Sequence, residues 1–124
     1  MLDLFKNRLR PVAKELFLVM VKVGRGTNAE MPESLVGAYV PAFAAAADHA
    51  AAAKAVAARV LSHGFELIDI QRPIKRLDPL QWSTFVHDTW PEFEAHFPNQ
   101  QAVLANMAKG AVFFGPFAGF ELTA

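Results

Sequence analysis

The chain reads as one α+β domain spanning residues 1–124, a four-stranded and mainly antiparallel sheet with helices packed on one face. Three observations carry this reading. Leu16 to Val21 is an unbroken apolar run, an alanine-rich helical stretch ends at Gly64 directly before a strand, and prolines divide an aromatic C-terminal half into short elements.

Taken in order, Leu2, Phe5 and Leu9 stand at i, i+3 and i+7, a brief amphipathic stretch that Pro11 closes. Leu16 to Val23 is continuously apolar and partly β-branched apart from Lys22, the pattern of a central strand buried on both faces. Gly24-Arg25-Gly26-Thr27-Asn28 breaks it and opens a loop to about Ser34. Leu35 to Phe43 is a second strand. Its Pro41 has no ladder donor, which assigns it to an edge or a bulge.

Asp48 is placed to N-cap a helix from His49 to Leu61, rich in the best helix former, and Gly64 supplies a left-handed C-cap. Ala53, Val56, Ala57, Val60 and Leu61 form its expected buried stripe. Phe65 to Gln71 is a third strand, and Arg72 to Leu77 a basic connector. Asp78-Pro79 starts a helix bearing Leu80, Trp82, Phe85, Val86 and Trp90 at helical spacing. Pro91 to Phe97 and Gln100 to Lys109 are two further short helices, the last capped by Gly110. Ala111 to Phe120 is the closing strand, where Pro116 again implies an edge or a bulge.

The order is β-β-α-β-α-α-α-β, with expected spatial order 2-1-3-4 and a split crossover about the first strand. Such an arrangement is ferredoxin-like in spirit, with a different element order.

Composition narrows the function classes. Twelve Lys and Arg balance twelve Asp and Glu, so the chain lacks the positive excess that nucleic-acid binding requires. Zero net charge also gives little repulsion between copies, which favours self-association. The absence of cysteine fits a reducing cytoplasm, and the Leu16–Val21 run is too short for a signal core or a membrane span.

No residue pattern carries catalysis. His87 and His96 lie near Asp88, Glu92 and Glu94, but nothing in their spacing forces a metal site, and solvated helix-surface histidines are the commoner outcome. Asp88 and Glu92 at i, i+4 read as acids at a helix start. Ser34, Ser62 and Ser83 sit in no nucleophile elbow, and Gly24-Arg25-Gly26 lacks the rest of a phosphate loop. No cofactor is implied.

Two features point to binding. Arg72, Lys75 and Arg76 precede a helix start, a place where small anions collect, and Arg25 is available from another loop. Trp82 and Trp90 stand beside them at the head of the aromatic set. The leading expectation is a small cytoplasmic, non-catalytic protein-interaction domain that forms a homodimer or docks another protein. An anion- or small-ligand-binding module built on Arg25, Arg72, Lys75, Arg76, Trp82 and Trp90 is the alternative, and an enzyme with dispersed polar residues stands third. The motive for the first is that strands apolar on both faces need more cover than helices on one side provide.

Overall fold

The computed structural model describes residues 14–31 and 35–120, so the amphipathic stretch at residues 2–9 lies outside the described residues. The fold is α+β, with an antiparallel sheet of five strands. Strands β1 (Glu15–Gly24) and β2 (Gly37–Ala46) pair along their whole length, Glu15 opposite Ala46 and Gly24 opposite Gly37. Helix α1 (His49–Ser62) leads into β3 (Glu66–Leu77), which pairs with the other side of β1. β1 is therefore central, and the β2-α1-β3 crossover straddles it as the sequence indicates.

The remaining order differs from the expected one. The strands run β3-β1-β2, and then β4 (Val112–Phe114) and β5 (Ala118–Phe120) both pair with β2. β3 is thus an edge, and β2 is not. The proline in β2 is accommodated by a bulge instead. Ala42 faces Phe114 and Tyr39 faces Ala118, so Val40 and Pro41 stand opposite three residues, Gly115, Pro116 and Phe117. Pro41 needs no donor there, and its carbonyl accepts the Gly115 N–H at 2.7 Å.

Helices cover both faces, not one. Phe17, Val19, Val21 and Val23 of β1 point to one face, where they meet Ala52, Val56 and Val60 of α1. The stripe of α1 thus follows an i, i+4 row through Ala52, and Leu61, expected inside, is 60% exposed. Leu16 and Leu18 point to the other face. There they meet α2 (Trp82–Thr89), the 3-10 segment Pro91–His96 and α3 (Gln100–Asn106) through Trp82, Val86, Phe97 and Val103. The chain's own helices satisfy the doubly apolar part of β1, each fully buried Val, Leu or Phe contributing about 1.5–3 kcal/mol. Further along β1 the second face turns amphipathic at Met20 and Lys22, with Lys22 Nζ 5.7 Å from the Tyr39 ring centroid.

Capping follows the sequence closely. Asp48 accepts from the Ala51 N–H at 2.7 Å, Asp78 from Leu80 at 2.9 Å and Asn99 from Ala102 at 2.8 Å. Gly64 turns the chain at φ +80°. Its carbonyl takes the Thr27 N–H at 2.7 Å, tying the β1–β2 loop to the α1–β3 joint.

Candidate functional site

The six residues singled out in the sequence do not form one site. Arg25 follows β1, and its guanidinium donates to the carbonyls of Met31 and Leu35, so it staples its own loop. Arg72, Lys75 and Arg76 lie within β3 rather than on a connector, all exposed. Arg76 reaches Glu15 at 3.0 Å and pairs in register with Phe17, eight residues before Arg25 and therefore about 25 Å from it.

Trp82 is core, 1% exposed, with its indole N–H donating to the Pro98 carbonyl at 2.8 Å. Its ring meets Phe43 edge-on at 5.0 Å. Half-buried Trp90 stacks on Phe97 at 5.3 Å and also meets Phe43 at 6.0 Å. Both tryptophans serve the second core. Phe93, expected inside with Trp82 and Phe85 from its place among the aromatics, is 41% exposed on the 3-10 segment after Pro91.

Polar chemistry is sparse. His87 Nδ1 lies 3.3 Å from Glu94 Oε2, with the two side chains 67% and 50% exposed. A contact this exposed contributes little to the fold and lies in no water-excluded pocket. Glu94 and Ser83 border a depression beside Trp82, where the Ser83 backbone N–H donates to Gln100 Oε1 at 3.2 Å. Among the described residues no group of three His, Asp or Glu side chains is placed to hold a metal ion. No helix among them is long and apolar enough to cross a membrane.

The two sheet edges differ sharply in character. β3 carries Glu66, Asp69, Arg72, Lys75 and Arg76, contains Pro73, and shifts register against β1 at two places, all devices that blunt an edge. The opposite edge, β4 and β5, lies in the run Gly110–Phe120, which has no charged residue. Phe113 points to the second face, where it stacks on Phe43 at 5.2 Å, while Phe114 and Phe117 share the first face with rings 6.2 Å apart.

Two apolar hollows flank this uncharged edge. One of about 260 Å³ lies between Met31, Leu35, Phe65 and Phe117, with Asn28 and Glu30 at its mouth. The other, about 370 Å³, is lined by Phe93, His96, Phe97, Phe114, Pro116 and Phe117. Phe117, 45% exposed, stands between them. The sequence signal for this site is the missing charge from Gly110 to Phe120, together with Pro116, which marks the closing strand as an edge open to association.

No protein-family model matches the chain, and comparison with curated proteins and with solved structures finds no significant similarity.

Proposed function

We propose that the chain is a small, non-catalytic protein-interaction domain of the cytoplasm that self-associates through the β4–β5 edge. The carrying observation is the contrast between the two edges: charge, proline and register shifts on β3, against an uncharged, phenylalanine-rich edge on the other side. Unpaired strand edges recruit other strands unless they are blunted. Among the described residues the β4–β5 edge is unpaired and carries no charge, and what blunts it is the shortness of its two three-residue strands and the Pro116 bulge between them. Helices cover the strands' apolar faces, so association need not hide a bare sheet. It would instead add a strand and close the hollows around Phe117. Zero net charge removes long-range repulsion between copies, and the lack of cysteine agrees with a reducing compartment.

One lysine on each edge tests this reading. Ala118 and Ile68 are both exposed, on β5 and β3 respectively. Light scattering at micromolar concentration is expected to give a dimer mass for the unaltered chain and for Ile68→Lys, and a monomer mass for Ala118→Lys. A monomer for all three contradicts the proposal.

A further inference from the structure

Resting on that reading, the geometry points to one arrangement of the pair: two copies of this chain joined antiparallel about a two-fold axis between Gly115 and Pro116. Val112 of one copy faces Gly119 of the other, and Phe114 faces Phe117. The backbone dictates this register. In an antiparallel ladder the N–H and C=O of one residue point to the same side, and successive residues alternate. Ala45 N–H donates to the Ala111 carbonyl at 3.0 Å and Gly115 N–H to the Pro41 carbonyl at 2.7 Å, so Ala111 and Gly115 address β2. Val112 and Phe114 therefore point away from the sheet. Pro41 and Ala45 address this edge, so by alternation along the unbroken β2 do Tyr39 and Gly37; their partners Ala118 and Phe120 point inward, and Gly119, opposite Ala38, points away. The proposed register extends β5 back by one residue, which turns Phe117 outward as well.

The outward groups thus belong to Val112, Phe114, Phe117 and Gly119, with the bulge at their midpoint. A straight partner strand matches only half of such an edge, because the extra residue reverses the alternation. A second copy, turned about the bulge, matches all four, and Pro116 sits at the axis, where no donor is asked of it.

Side chains agree with the register. Val112 and Phe114 pack on the α1 face, as does Phe117 through its contacts with Phe65 at 5.6 Å and Phe114 at 6.2 Å. Facing partners hence lie on one side of the joined sheet, and the Phe114 and Phe117 rings of the two copies form one apolar row.

The chain has no cysteine, so disulfide trapping reads the register without background. Facing Cα atoms in such a pair are about 5.5 Å apart, within disulfide reach, while Phe117 and its own copy are roughly 10 Å apart, beyond it. Phe114→Cys and Phe117→Cys chains carrying different mass tags are oxidised separately and mixed. Disulfide dimer is expected only in the mixture, about tenfold or more above either chain alone. Val112→Cys mixed with Gly119→Cys, both in a Leu35→Ala background, repeats the test without removing a ring, should Phe114→Cys fail to fold; the smaller residue makes room for a Cβ that would otherwise lie 2.5 Å from Leu35 Cδ1. A dimer by mass that cross-links in neither mixture, or cross-links equally in the unmixed chains, overturns this register and leaves self-association standing. A monomer by mass overturns both.

Discussion

Pro41 and Gly115 meet across the β4–β5 bulge, where the proline carbonyl accepts the glycine N–H at 2.7 Å and the proline's missing donor faces the interruption in the ladder. A proline inside a sheet would ordinarily cost a ladder hydrogen bond. Here the neighbouring strand is broken at the matching point, so β2 keeps continuous pairing with β1. Pro41→Ala is expected to change stability by less than about 1 kcal/mol, whereas Val19→Pro in β1 should cost at least ~3 kcal/mol. Urea denaturation of the two variants checks the contrast.

Trp82 anchors the second core. It is 1% exposed, edge-on to Phe43 and Phe113, and hydrogen-bonded to the Pro98 carbonyl. Trp82→Ala should destabilise the fold by about 3–5 kcal/mol, and Phe43→Ala by a similar amount. Chemical denaturation measures both, and a loss under ~1 kcal/mol at either position contradicts their core role.

Gly26 and Gly64 clasp the β1–β2 loop to the end of α1. Both have positive φ, +55° and +80°. A Cβ on Gly26 would lie 2.3 Å from the Gly64 carbonyl oxygen, while one on Gly64 would meet the Thr27 hydroxyl at 2.8 Å. A hydroxyl can rotate aside more easily than a hydrogen-bonded backbone carbonyl. Gly26→Ala is therefore expected to lower the melting temperature more than Gly64→Ala, although both carry the cost of a left-handed backbone.

Arg25 holds its loop through the carbonyls of Met31 and Leu35. Arg25→Ala should cost about 1–3 kcal/mol, since charge-assisted bonds to partly buried carbonyls are lost. The account also expects phosphate to leave the melting temperature of the unaltered chain unchanged. A saturable rise with phosphate that disappears in Arg25→Ala would restore the anion-binding reading.

Much of this fold was legible in the sequence because its signals are local. The Leu16–Val21 run marks β1 as central, and Asp48, Asp78, Gly64 and Gly110 bound their helices where capping chemistry requires, while the Asn99 cap went unread. Pro116 indicates an edge or a bulge, and the structure has both. The misreadings are non-local. That β4 joins β2 and not β3 depends on pairing across some 70 residues, which no local pattern encodes. A strand apolar on both faces requires cover on both without saying what supplies it, so α2 and α3 were not foreseen on the second face. The alanine-rich α1 is apolar nearly all round and leaves its buried row undefined until it packs. The charges of Arg72 to Arg76 mark solvent, which an edge strand meets as readily as a connector does. The proposed surface was legible only in part: Pro116 marks an edge, but nothing in the sequence says which of Phe113, Phe114 and Phe117 turn inward, and Phe113 packs on Phe43.

Sedimentation equilibrium of the unaltered chain, from about one to one hundred micromolar, tests the central claim most directly. The account predicts a concentration-dependent rise to twice the 13.6 kDa chain mass. A mass that stays at a single chain across the whole range would contradict it.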